Sequence, residues 1–219
     1  MLWIFAVLCL VLLGTDRYQE YKKESAEKSG IRENIAGKII RFHVRANSDA
    51  ALDQEIKLKV RDAVGAYMQP LLTDVSDIQE GRGVIENHLS QIEAEAEKVL
   101  LAEGCKDSVK AELGVTKFPE KTYGDYTFPA GDYEALEVVI GDGEGHNWWC
   151  VMYPNLCFFN STYEVVDEEA EKSLEQVLTQ EEYKSLMEHK NYEIKFGMLE
   201  WIKEKLDGYV KDNSSAPAS

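Results

Sequence analysis

The chain has 219 residues, 44% of them hydrophobic and 29% charged, and a net charge of −16. That length is ample for one domain with its own core plus appendages. Acidity spread along the chain, with no basic stripe, opposes contact with phosphate backbones and anionic lipid surfaces, so no nucleic-acid partner is expected.

The chain opens on the apolar run MLWIFAVLCLVLLG, residues 1–14. It is shorter than the ~20 residues a spanning helix needs and fits the core of an export signal or N-terminal anchor, which would engage the membrane during export. No Lys or Arg precedes it and no small-x-small cleavage site follows. Cys9 follows Leu8, not a small residue, which argues against lipidation there. The competing reading is a buried N-terminal helix. Residues 15–36 are polar and charged, and are predicted to form a flexible stem.

An α+β domain is expected over 37–160. Lys38 to Ala46 alternates, with Ile40, Phe42, Val44 and Ala46 on one side and Ile39, Arg41, His43 and Arg45 on the other, as a half-buried strand would. Asn47-Ser48-Asp49 supplies a turn and N-cap for a helix from about Ala50 to Met68. A second helix is predicted from Ser76, with Ser76 and Gln79 at capping-box spacing and Gly104 as its stop. From Asp107 the apolar period becomes two. Turn signals at Gly124-Asp125, Pro129-Ala130-Gly131 and Gly141 to Gly145 separate short strands, which favours antiparallel neighbours. The expected fold class is α+β: a mainly antiparallel sheet with two long N-terminal helices on one face and a C-terminal helical segment. Residues 161–190 read as an acidic exposed helix or linker, 191–211 as a strand and helix returning to the domain, and 212–219 as a disordered tail.

The chemistry concentrates in GEGHNWWCVMYPNLCF, Gly143 to Phe158. If Met152 to Asn155 forms a four-residue turn, Cys150 stands opposite Cys157. Opposed Cβ atoms lie about 4.5–5.5 Å apart and a disulfide needs about 3.5–4.5 Å, so modest closure would join them. Two reduced buried thiols, or a zinc site completed by His146, are the alternatives. Asp142, Glu144 and His146 alternate like part of a calcium loop but lack its remaining acids. A Cys-His hydrolase would pair Cys150 with His43, His88, His146 or His189, although nothing in the sequence places a base within reach. Gly141-Asp142-Gly143 lacks the hydroxyl residue of an aspartic-protease loop and opens no helix. Adjacent Trp148 and Trp149 must point to opposite faces of a strand; one can be core, and the other needs cover from a helix or a partner.

At these residues the chain resembles the stage II sporulation protein R family of endospore-forming bacteria. RFHVRANSDAALDQEIKLKVRDAV (Arg41 to Val64) is similar to the family's leading block. FPEKTYGDYTFPAGDYEALEVVIGDGEGHNWWCVMYPNLCF (Phe118 to Phe158) is similar to its second, with Tyr153 and Asn155 where the family commonly has Phe and a second Pro. The resemblance implies a signal rather than an enzyme, with no catalytic residues and no cofactor. Such a protein is made in the forespore and exported into the septal intermembrane space. There it triggers a membrane-embedded aspartic protease, which processes pro-sigma-E in the mother cell. On this reading Trp148 or Trp149, with Tyr153, Tyr123 and Tyr126, forms the contact surface, oriented by a Cys150–Cys157 link. An extracytoplasmic cysteine hydrolase and a non-signalling septal structural protein are the competing classes.

Overall fold

A computed structural model describes residues 2–154, 156 and 168–187. In chain order it contains α1 (Leu2–Ala36), β1 (Ile40–Arg45), α2 (Ala51–Leu72), α3 (Ile78–Asn87) and α4 (Leu89–Ala102). There follow β2 (Val109–Phe118), β3 (Lys121–Tyr123), β4 (Tyr126–Phe128), β5 (Gly131–Ile140), β6 (Asn147–Tyr153), α5 (Glu168–Val177) and α6 (Gln180–Met187). Among the described residues, no helix is long and apolar enough to cross a membrane. The expectations for residues 191–211 and 212–219, and for Cys157 and His189, lie outside the described residues.

The class is α+β, as expected, and the sheet order is β2-β5-β1-β6. The β2–β5 and β1–β6 pairs are antiparallel, and β1–β5 is parallel. This departs from a simple meander. The strand nearest the N-terminus inserts between β5 and β6, so Trp148 faces Val44 and Cys150 faces Phe42 in register. β6 continues through Met152 and Tyr153, so the turn predicted over Met152 to Asn155 does not begin at Met152.

Helices α2, α3 and α4 cover one face. Ile56, Val60, Val64 and Met68 of α2 meet Phe42 and Val44 of β1 and Leu136 and Val138 of β5 in the larger core. α2 carries Pro70 inside its last turn and extends to Leu72, which is itself buried. Its N-cap is Ala50, without a side-chain cap bond, while Asn47 and Ser48 both donate to Asp53 in the first turn. The predicted second helix is two helices. His88 leaves helical geometry, its N–H turns back to Ile85, and its Nδ1 lies 2.7 Å from the Val84 carbonyl. Asp77, not Ser76, is the N-cap, accepting from the Gln79 and Glu80 amides, and Glu80 reaches back to the Ser76 N–H at 2.9 Å. At the far end Gly104, at φ 68°, closes α4: its N–H bonds Leu101 and the Cys105 N–H bonds Leu100, a Schellman cap.

The other face is covered too, which corrects the half-buried strand: all of Ile40 to Val44 is buried. The cover consists of the β3–β4 hairpin, the end of α1, and α5 with α6, around Ile35, Ile39, Phe118, Phe128, Tyr133, Leu174 and Leu186. The polar stretch 15–36 is therefore helical. Lys28 pairs with Glu24 at 2.7 Å one turn away, and Ile31 and Ile35 give the helix an anchoring stripe. Within 161–190, α5 and α6 dock through Ala170, Leu174, Leu178 and Leu186 instead of lying exposed. α6 opens on a Thr179–Glu182 capping box, and Lys38 bonds the same Glu182 carboxylate at 2.6 Å.

The turn after β1 and the loop after β5 interlock. Asn47 Oδ1 accepts from the Asp142 N–H at 3.0 Å, Asn47 O from Glu144, Ala46 O from Gly145, and Asp49 from the His146 backbone and ring. A Cβ on Gly145 would stand 2.2 Å from the Ser48 carbonyl, a clash with backbone that cannot swing away. Gly145→Ala is expected to cost on the order of 2 kcal/mol in chemical denaturation. Gly83→Ala, where a Cβ meets nothing within 4 Å, should instead stabilise α3 by about 0.5–1 kcal/mol. Equal midpoints for the two variants would refute the interlock.

Candidate contact site above a buried arginine

Arg41 sits at the centre of the second face with 0% exposure. Its guanidinium carbon lies 4.5 Å from the Phe118 ring centroid, 5.1 Å from Tyr133, 5.2 Å from Phe128 and 5.8 Å from Tyr123. Nε donates to the Cys150 carbonyl at 2.9 Å and Nη2 to the Tyr123 hydroxyl at 3.2 Å. Tyr123 in turn donates to the Trp149 carbonyl at 2.9 Å. Among the described residues Nη1 has no hydrogen-bond partner. Burial pushes the guanidinium pKa below its ordinary value against the attraction of Tyr123 and Tyr133, yet arginine stays charged in proteins. The aromatic faces and the two backbone-linked bonds therefore offset a desolvation cost of several kcal/mol.

The cation clamps the main chain at consecutive residues of β6, and that positions the tryptophans. Trp149 stacks on His43 with centroids 4.8 Å apart and planes 8° from parallel, and meets Phe118 edge-on at 4.7 Å. It stays partly exposed. Trp148 points to the helical face, edge-on to Phe42 at 5.4 Å, with the Arg61 guanidinium 5.1 Å over its ring. The expected opposition of the two indoles is present, and each has intramolecular cover.

Beyond Arg41 the same face becomes polar. His43 Nε2 lies 3.5 Å from Glu137, which also takes Arg45 at 3.2 Å. Arg45 donates twice to the Gly143 carbonyl, at 3.1 and 2.8 Å, tying this row to the interlocked loop. Burial lowers the His43 pKa to about 4; Glu137 opposes the shift, while Arg45 and Arg41 add to it. His43 is thus neutral at neutral pH. Glu112 of β2 stands opposite Glu137 in register, a like-charge pair relieved by Lys110 at 2.6 Å and by Arg45.

The other predicted contact residues are placed differently. Tyr123, Tyr126 and Tyr153 retain only 6%, 4% and 4% exposure, so they present almost no surface to a partner. Tyr123 belongs to the arginine cage. Tyr126 bonds Tyr183 at 2.6 Å and Glu171 at 3.0 Å under α5 and α6, and burial is the main cause raising its pKa. Tyr153 packs in the larger core beside Gly81. Cys150 is buried, and Cys157 lies outside the described residues. His43 is sealed under Trp149, His88 bonds its own helix, and His146 is exposed beside Asp49. Among the described residues no group of three or more His, Cys, Asp or Glu could hold a metal ion. Arg41, Glu137 and the Phe118–Phe128–Tyr133 cage were not singled out from sequence. The available signal was the aromatic excess of the 118–133 stretch facing an alternating Arg-His-Arg strand.

The geometry defines an α+β domain in which a buried cation orders an edge strand that carries a partly exposed indole above a polar row. The family profile of stage II sporulation protein R matches residues 36–163, which span this whole arrangement from the end of α1 past β6. The chain is also 36% identical, over 221 aligned positions, to stage II sporulation protein R of Bacillus subtilis (strain 168), covering 93% of this chain and 95% of that one. The chain belongs to the stage II sporulation protein R family. No solved structure matches it.

Two measurements test the site. Arg41→Ala leaves a cavity and removes the Nε bond to the Cys150 carbonyl, and should lower stability by about 3–5 kcal/mol. Arg41→Met, which fills the volume without a charge to desolvate, should lose clearly less, and equal losses would show that the cation matters only as bulk. The His43 value lies below the ordinary 6.5, so between pH 4 and 6.5 the unfolded chain binds more protons. Stability should rise with pH across that window, and fall by up to about 3 kcal/mol as pH drops to 4. In His43→Phe that slope should be much reduced, as measured by urea midpoints against pH.

Proposed function

We propose that this chain is an exported forespore signal that activates, by contact, the membrane-embedded aspartic protease processing pro-sigma-E in the mother cell. Family membership supports the sporulation role. The single observation that carries the contact reading is Trp149: its carbonyl and the next are held by Tyr123 and Arg41, while its indole keeps an exposed flank over His43. An activator must bind the active state of its receptor more tightly than the inactive one. A rigid aromatic anchor achieves this with little conformational entropy lost on docking. Arg45, Lys110 and Glu112 form the polar surroundings of that anchor. The N-terminal apolar segment would engage the membrane during export and deliver the domain to the septal intermembrane space. A Cys150–Cys157 link remains part of the proposal, supported by the buried position of Cys150 on β6.

The reading is tested by co-expressing this chain with the protease and pro-sigma-E in a host without other sporulation factors. Trp149→Ala should reduce processing about 30-fold, the loss of roughly 2 kcal/mol typical of an anchor residue. Trp149→Phe should recover part of it. Trp148→Ala should act through stability, with less folded protein exported. Wild-type processing by a folded, exported Trp149→Ala protein would remove Trp149 from the interface.

A further inference from the structure

Among the described residues, the outer edge of the sheet is closed along only part of its length. β2 pairs with β5 on one side, in unbroken register from Val109 to Phe118. Successive residues of an antiparallel strand turn their backbone groups alternately toward and away from the partner. The Ser108 carbonyl accepts from Gly141 at 2.8 Å on the β5 side, and the Ala111 N–H goes outward to Glu93 of α4 at 2.9 Å. The odd-numbered residues of β2 therefore direct their N–H and C=O groups away from β5. Glu93 occupies the Ala111 donor, and beyond the strand Pro119 has no donor. Between these stops lie Leu113, Val115 and Lys117. The central residue, Val115, is 77% exposed, whereas the preceding odd residue, Leu113, packs against the core.

We propose that this window pairs antiparallel with the same window of a second copy, about a two-fold axis at Val115, joining two four-stranded sheets into one. The three open backbone positions are evenly spaced about Val115, so a two-fold axis there pairs each of them with another, as an isologous contact requires. In this register Leu113 faces Lys117 of the second copy, Val115 faces Val115, and Lys117 faces Leu113, giving about six inter-strand hydrogen bonds. Shifting the axis to Gly114 sets Lys117 against the Ala111 donor that Glu93 already occupies. Shifting it to Thr116 sets Leu113 against Pro119. The central register alone uses all three open positions. It also brings no like charges face to face: Glu112 meets Phe118, Gly114 meets Thr116, and each Lys117 lays its aliphatic stem along a leucine. A strand from another protein could use the same edge, but nothing in such a strand would require the window to be self-complementary.

The test is sedimentation velocity of the full-length chain in non-ionic detergent, with near-UV circular dichroism to confirm folding. A monomer–dimer equilibrium is expected. Val115→Lys, which opposes two ammonium groups on the axis, should raise the dimer dissociation constant at least tenfold. Val115→Pro removes the outward N–H without touching the β5 ladder and should do the same. If the proline variant fails to fold, the exposed lysine substitution still decides. Val115→Cys should form a covalent dimer on mild oxidation far faster than Lys110→Cys. A wild-type chain still monomeric at about 100 µM would overturn the proposal. So would a dimer that survives Val115→Lys, or cross-linking that is equally fast from position 110.

Discussion

A guanidinium without water around it, and with no carboxylate beside it among the described residues, imposes order on everything it touches. Arg41 is tolerable at the middle of a four-stranded sheet only because Phe118, Tyr123, Phe128 and Tyr133 turn their rings toward it and two acceptors meet its N–H groups. Displacing any of these exposes a charge to a low-dielectric interior, where the penalty is several kcal/mol. The cage therefore pins the β3–β4 hairpin over the sheet and holds β5 and the end of β2 in place. It also reaches the main chain of β6, the strand where both tryptophans lie.

The second constraint is geometric. Ala46, Asn47 and Asp49 at the end of β1 bond successive backbone groups of the Asp142–His146 loop, and Arg45 bonds the Gly143 carbonyl from the sheet face. Gly143 and Gly145 are required by close approach: a Cβ on either would lie within 2.6 Å of its neighbour. The loop carries the chain from β5 across β1 to β6, so fixing it fixes the register in which the tryptophans stand beside Val44 and His43. The two blocks of sequence shared with the family are the two halves of this arrangement: β1 with its turn, and the hairpin, β5, loop and β6. On the proposed contact reading, a rigid anchor over a polar row would leave little entropy to be lost on docking.

Much of the architecture was legible because it rests on local patterns. The alternation of Lys38 to Ala46, the apolar stripe of Ile56, Val60 and Val64, the stop at Gly104 and the turn at Gly124-Asp125 all follow from side-chain period and backbone preference. The α+β class followed from their order. The division of the predicted second helix at His88 was not legible, because it depends on one imidazole competing for the Val84 carbonyl. Nor was the docking of residues 168–187, whose few leucines become a stripe only when Ile35 and Ile39 supply the opposite surface.

The sequence alone established an acidic α+β chain with an apolar N-terminus, two adjacent tryptophans on opposite faces of one strand and the family's two blocks, since period, composition and motif are properties of neighbouring residues. Only the tertiary structure decided that Arg41 and His43 are interior, that Tyr123, Tyr126 and Tyr153 are covered, and that β1 lies between β5 and β6. The reason is physical. A strand with cations on its outer side reads as half-exposed until another segment brings enough aromatic surface to cover them, and that segment here lies some eighty residues away, as in the Arg41–Tyr123 bond.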